Sequence, residues 1–160
     1  IFNPLLKTGA LMDLGVYCVY PAVDLFGEPQ ELLCRHLPLR TGADGAGSCI
    51  YTYADKLITI TYSKVGQSRG VSQIIGDSGT ITVDSISQLT GVNLFDNSGN
   101  KALLTGEKTK AELMGYEARD LYDFITDAQK NKARYELCLS TAEKAALTME
   151  RMRQSVIRAY

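Results

Sequence analysis

Residues 71–83 read Val71-Ser72-Gln73-Ile74-Ile75-Gly76-Asp77-Ser78-Gly79-Thr80-Ile81-Thr82-Val83. Two runs rich in β-branched residues flank a four-residue glycine, aspartate and serine turn, which is the chemistry of a tight hairpin. The same grammar repeats on either side. Upstream, residues 48–54 and 57–62 are β-branched and aromatic, with Asp55-Lys56 between them as a turn. Downstream, residues 92–95 and 102–104 flank Asp96-Asn97-Ser98-Gly99-Asn100. From Glu31 to about Leu104 this meander predicts a largely antiparallel sheet. The Gly76-Asp77-Ser78-Gly79 string resembles the serine-protease GDSGG, but Thr80 follows it and His36 is the one histidine available as a base. A triad is defined by geometry, not by a tetrapeptide.

Helices bracket the strands. Residues 11–26 show helical periodicity, with Leu11, Leu14, Cys18 and Leu25 in a narrow apolar arc. Pro21 is expected to kink or divide this helix, and Gly27 with Pro29 to end it. Helix returns after Gly115, where Ala118, Leu121, Ile125 and Ala128 form a stripe and Glu117 and Asp120 occupy the first turn. A last helix is predicted from Ser140, with Glu143 completing a capping box. Ala145, Met149, Met152 and Val156 make its buried face. The expectation is one α+β domain over residues 1–160: a large, mostly antiparallel sheet with helices packed on one face. Leu57 beside Ile58-Thr59-Ile60 puts apolar residues on both faces of a strand. A symmetric partner on the second face is therefore expected, as a homodimer or higher oligomer.

Composition narrows the function classes. The chain has 160 residues, 45% hydrophobic and 22% charged, with a net charge of −1. No basic field points to nucleic acid. Asp13 and Asp24 interrupt the most apolar segment, so neither a membrane span nor a signal peptide is expected. The chain starts at Ile1 without an initiator methionine, and the expectation is a fragment. Cys18, Cys34, Cys49 and Cys138 form no CxxC pair, so no metal site is expected. They read as buried free thiols in a reducing cytoplasm, although spacing alone leaves disulfides open.

The first helix carries the candidate chemistry. Asp13, Tyr17, Tyr20 and Asp24 recur at i, i+4, i+7 and i+11, within about 60° of an α-helix circumference. A tyrosine hydroxyl four residues from a carboxylate can pass a proton through a hydrogen-bonded relay. The plain alternative is a tyrosine with its ring packed and its hydroxyl wet, beside a solvated Asp13. The Gly42-Ala43-Asp44-Gly45-Ala46-Gly47 cluster has the wrong spacing for a dinucleotide turn and reads as a loop. His36 and the Lys101, Lys108 and Lys110 stretch read as structural or solvated. Tyr51, Tyr53 and Tyr62 read as sheet packing or interface.

Gly9-Ala10-Leu11-Met12-Asp13-Leu14-Gly15-Val16-Tyr17 resembles the G-x-L-x-D-x-G-x-(H/Y) signature of the Gfo/Idh/MocA oxidoreductase family. Leu25-Phe26-Gly27-Glu28-Pro29 is similar to the family's L-x-G-x-P helix end, and Gly76 to Ile81 to its G-x-x-G hairpin. Gly115-Tyr116-Glu117 is similar to the start of its penultimate helix. The resemblance covers nearly the whole chain, in order. It implies the C-terminal, substrate-side domain of a two-domain dehydrogenase. An N-terminal Rossmann domain, outside this chain, would bind NAD or NADP and supply an E-K-P lysine. No cofactor-binding residue is then expected here.

By the same resemblance Tyr17, in a position that takes His or Tyr, is the proton donor or acceptor at the substrate oxygen. Tyr here resembles the branch of glucose–fructose oxidoreductase and dimeric dihydrodiol dehydrogenase. Asp13 orients the substrate or the absent lysine, and Tyr20 and Asp24 become substrate contacts. Lys7-Thr8-Gly9 stands where the family usually carries three glycines, in a loop bordering the active site, so Lys7 is placed with the substrate. The implied reaction oxidises or reduces a sugar, a polyol or a related alcohol or carbonyl, and the isolated chain is expected to be inactive. The altered loop leaves open a non-catalytic structural or dimerisation module.

Overall fold

The computed structural model describes residues 8–106 and 108–155. The fold is α+β, and its contacts group into two units. One holds the chain up to Ser68 and from Glu136 onward; the other is Arg69–Tyr135. The strands accordingly form two antiparallel sheets, of three and four strands, where the sequence suggests one large sheet. The division falls in residues 64–71, which belong to no strand.

The first unit contains β1 (Glu31–Pro38), β2 (Asp44–Thr52) and β3 (Leu57–Ser63), paired in that order. Leu33, Ile50 and Thr59 stand in one cross-strand row; Cys34, Cys49 and Ile60 stand in the next. Because successive residues face opposite sides of a sheet, the second row is buried and the first is exposed. α1 (Val16–Phe26) and the later part of α3 (Ala128–Gln154) cover the buried face. Val19, Ala22 and Val23 of α1 meet Cys49, Tyr51, Ile60 and Tyr62 in one core with Ala145, Met149 and Met152. The Tyr51 hydroxyl donates to Met152 Sδ at 2.9 Å, and burial pushes this phenol far above its ordinary range.

Cys34 and Cys49 are bonded as a disulfide across β1 and β2, while Cys18 and Cys138 are free. This corrects the expectation of four free thiols. Strand register, not sequence spacing, brings together two cysteines 15 residues apart. Thiol usage therefore no longer argues for a cytoplasmic location. No helix among the described residues is long and apolar enough to cross a membrane.

The first helix differs from expectation in a way that matters for the site. Leu11–Gly15 is a π-helical turn, in which the Val16 N–H donates to the Leu11 carbonyl, five residues back. That turn holds one more residue than an α-helical turn. The buried face moves along by one position, so Gly15 and Val19 are buried where Leu14 and Cys18 are expected. Leu14 and Leu25 are left exposed. Pro21 lies inside α1 without dividing it. Gly27 ends the helix with φ +76°, a conformation glycine adopts without strain. The Tyr53 hydroxyl donates to the Gly27 carbonyl at 2.9 Å, and both terminal nitrogens of Arg151 donate to the Pro29 carbonyl at 3.1 Å.

The second unit contains β4 (Ser72–Gly76), β5 (Gly79–Ser85), β6 (Thr90–Asp96), β7 (Lys101–Thr105) and α2 (Lys110–Thr126). The three expected hairpins are all present. In the last, the Asp96 carboxylate accepts the side-chain amide of Asn100 at 2.7 Å and the backbone N–H groups of Asn100 and Ser98. These bonds hold its carboxyl below the usual range. α2 begins five residues before Gly115, at a capping box formed by Thr109 and Glu112. Its Leu121 and Ile125 are exposed, and none of its residues is buried.

α3 also begins earlier than Ser140, which lies in mid-helix. Asp127 ends α2 and accepts the Lys130 N–H at 3.3 Å, as an N-cap does. A serine three residues before a glutamate is a start signal only where no turn of helix precedes it. The expected face of Ala145, Met149 and Met152 is buried, joined by Thr141 and Thr148. Val156 lies outside the described residues.

Candidate functional site

The π turn rests on the end of the three-stranded sheet, packed on β3 and β2. Three glycines permit the approach. A Cβ on Gly9 would clash with a carboxyl oxygen of Asp44. One on Gly15 would press to 2.8 Å from Leu11 Cδ1 and 3.4 Å from the Tyr62 ring. One on Gly47 would strike the Tyr62 hydroxyl. Gly45 and Gly47 therefore belong to a strand, not to the expected loop. The side chains of Leu39 and Tyr62 fill the space above them.

Two sheet residues hold the turn by charge. Asp44 Oδ2 accepts the backbone N–H of Leu11 at 2.6 Å, placing a carboxylate at the start of a helix, where the aligned peptide dipoles favour it. Lys64, just beyond β3, forms an ion pair with Asp13. The Lys64 side chain is only 11% exposed, while that of Asp13 is 61% exposed. The backbone N–H of Lys64 donates to the Gly45 carbonyl at 2.8 Å, so β2 fixes the base of this lysine. Burial, followed by the charge of Asp44, pushes the Tyr62 phenol up to about 12, so it stays protonated at neutral pH and serves as packing.

Asp13, Tyr17, Tyr20 and Asp24 are all exposed, as a solvent-facing stripe requires. Their surroundings differ. Asp13 is tied to Lys64, and Tyr17 is 47% exposed on the first turn of α1. Asp24 accepts the Thr141 hydroxyl of α3 at 3.4 Å. The Tyr20 phenol is raised by burial, then by the neighbouring Cys138 and Asp24. The structure thus puts Tyr20 and Asp24 against α3, and Asp13 against the sheet end. Lys7 lies outside the described residues.

A cleft of about 240 Å³ is lined by Leu14, Thr61, Tyr62, Ser63, Gly66, Gln67 and Ser68. Leu14 and Ser63 are the chain neighbours of Asp13 and Lys64. A larger, more open hollow of about 550 Å³ lies between the start of β1 and the end of α3, and none of the candidate residues lines it. Among the described residues no three His, Cys, Asp or Glu groups converge as a metal site would need. His36 Nδ1 is buried without a hydrogen-bond partner, on the position paired with Gly47.

Sequence reasoning missed Asp44 and Lys64. Their contacts cross 33 and 51 positions of chain, which no local pattern reports. The one available signal was the glycine pair in β2, since glycine within a strand marks a close approach.

The α+β fold is shared with solved structures of oxidoreductases. No protein-family model matches the chain. It is 33% identical over 96% of its length to scyllo-inositol 2-dehydrogenase (NADP(+)) IolU of Bacillus subtilis, covering 45% of that protein. It is 32% identical over 79% of its length to the uncharacterized oxidoreductase YgjR of Escherichia coli, covering 38% of it. UDP-N-acetylglucosamine 3-dehydrogenase GnnA of Acidithiobacillus ferrooxidans shares the fold, with a TM-score of 0.71 at 16% identity over 94% of this chain and 48% of that one. The chain thus spans less than half the length of the curated relatives it matches.

Proposed function

We propose that this chain is the C-terminal, substrate-side domain of an NAD(P)-dependent oxidoreductase of the Gfo/Idh/MocA family. Its substrate would be a sugar, a polyol or a related alcohol or carbonyl. The observation that carries the reading is the presentation of Asp13 and Tyr17. Both face solvent on a helix start that Asp44 and Lys64 lock to the sheet. Relatives named as oxidoreductases, of about twice this length, support it.

The described residues do not fit a dinucleotide. Leu39 packs against Gly45 and Tyr62 against Gly47, and among the described residues no glycine-rich turn runs from a strand into a helix. The family resemblance places the cofactor in an N-terminal Rossmann domain outside this chain. What this chain supplies is proton handling and orientation. The Tyr17 hydroxyl exchanges a proton with the substrate oxygen as that oxygen changes between hydroxyl and carbonyl. Asp13 accepts a hydrogen bond from a substrate hydroxyl and fixes its direction. Tyr20 and Asp24, beside α3, are further substrate contacts, and Lys7 is a substrate contact by the family resemblance.

Calorimetry with NADPH and NADH on this chain and on the full-length protein tests the division. Binding by the full-length protein alone is expected, with an inactive isolated chain. Binding by the isolated chain would refute the split.

The exposed sheet face carries Leu33, Leu37, Ile50 and Leu57, with Leu33 and Ile50 directly opposed across β1 and β2. Monomeric proteins rarely expose such a row, and a second copy is proposed to cover it. A protein that sediments as a monomer at high concentration would remove this part of the proposal alone. The same face would serve a non-catalytic dimerisation module, the second reading. Turnover by the full-length protein separates the two.

A further inference from the structure

We infer that Lys64 is a positioning residue for Asp13, setting the carboxylate that meets the substrate; the inference rests on the reading of Asp13 and Tyr17 as the reacting pair. Lys64 is distinct from the lysine that the family resemblance places in the N-terminal domain. It belongs to the sheet end and is already engaged in this chain.

Asp13 and Lys64 differ in freedom. Asp13 is largely exposed on a π turn and, left alone, would sample several rotamers in water. Lys64 cannot follow it. Its stem is packed away, and its backbone N–H is bonded to the Gly45 carbonyl. The ammonium is therefore the fixed partner and the carboxylate the guided one. A charge-assisted bond of this kind is among the stronger side-chain contacts, and partial burial protects it from salt.

The ammonium engages Oδ2 of Asp13. This anchors one carboxylate oxygen and leaves Oδ1 to accept a substrate hydroxyl. The wall of the cleft of about 240 Å³ includes Leu14 and Ser63, the chain neighbours of Asp13 and Lys64. Holding a contact group in one orientation before substrate arrives removes an entropic cost from the reacting complex, and small misplacements are expensive in rate.

The test compares Lys64→Met, Lys64→Arg, Asp13→Asn and the Lys64→Met/Asp13→Asn pair in the full-length protein. Lys64→Met is expected to lower kcat roughly tenfold, with a smaller change in KM, as misorientation of a contact group does. Lys64→Arg should recover most of the loss, because it keeps the charge and reaches the same carboxylate. In the Asp13→Asn background, Lys64→Met should cost nothing further. A readout independent of cofactor comes from the 160-residue chain, where the falls in thermal midpoint of the two single variants should not add. Equal kcat losses from Lys64→Met in both backgrounds, additive midpoint shifts, or failure of Lys64→Arg to recover activity would each overturn the inference. A slow Asp13→Asn enzyme beside a wild-type Lys64→Met enzyme sinks the role of Lys64 alone. Wild-type turnover by both Asp13→Asn and Tyr17→Phe sinks the site reading, and Lys64 with it.

Discussion

Replacing Gly9 by alanine is expected to destabilise the first unit by about 2–4 kcal/mol and to cut turnover of the full-length protein. The new methyl group would clash with Asp44 Oδ1, with the Asp44 backbone carbonyl only 3.2 Å away. The carboxylate cannot swing aside freely, because its other oxygen holds the Leu11 N–H at 2.6 Å. Either that bond breaks, leaving a helix-start N–H without its acceptor, or residues 9–11 move away from β2. Both outcomes shift the turn that carries Asp13. Overpacking costs roughly 1–3 kcal/mol and a lost hydrogen bond to a charged group roughly 1.5–3 kcal/mol, partly offset by the stiffer unfolded chain of alanine.

Urea unfolding of the isolated chain measures the stability loss, and a double variant identifies its cause. Once Asp44→Ala has removed the clash, Gly9→Ala should add little. A Gly9→Ala protein with the wild-type urea midpoint would mean that the turn is not held as described.

The sequence signature around Gly9 and Gly15 thus has a physical content that resemblance alone does not supply. Both glycines let a helix start lie flat on the sheet end, one against a carboxylate and one against the Tyr62 ring. The strands were legible because their turns are chemically explicit. Asp77-Ser78 between two glycines and the Asp96 to Asn100 loop each form the hairpin their residues encode.

The helix face was not legible, because a π turn cannot be seen in a rotation of 100° per residue. One extra residue moved the buried face off Leu14 and Cys18. The start of the last helix was misplaced because Ser140 and Glu143 mimic a cap inside a continuous helix. Of the candidate site, Asp13 and Tyr17 were visible as spacing and as a motif. Asp44 and Lys64 were not, because strand pairing decides where they fall. The Cys34–Cys49 bridge was hidden for the same reason.

Tyr17 bears most directly on the proposed chemistry. Phenylalanine keeps the ring, and Tyr17 is half-exposed on the first turn of α1, so the helix and the Asp13–Lys64 pair should stay in place. A Tyr17→Phe protein should therefore fold, melt and bind cofactor as the wild type does. If Tyr17 passes the proton at the substrate oxygen, its loss removes general acid–base assistance, which contributes roughly 10²–10⁴-fold to rate. The defect should appear in kcat more than in KM, because the proton moves in the reacting complex and not on binding.

The decisive measurement is steady-state turnover of a polyol or sugar substrate by the full-length protein and its Tyr17→Phe variant, with thermal midpoints recorded beside them. The account predicts a fall in kcat of at least roughly a hundredfold at an unchanged midpoint. A Tyr17→Phe enzyme with wild-type kcat would contradict it.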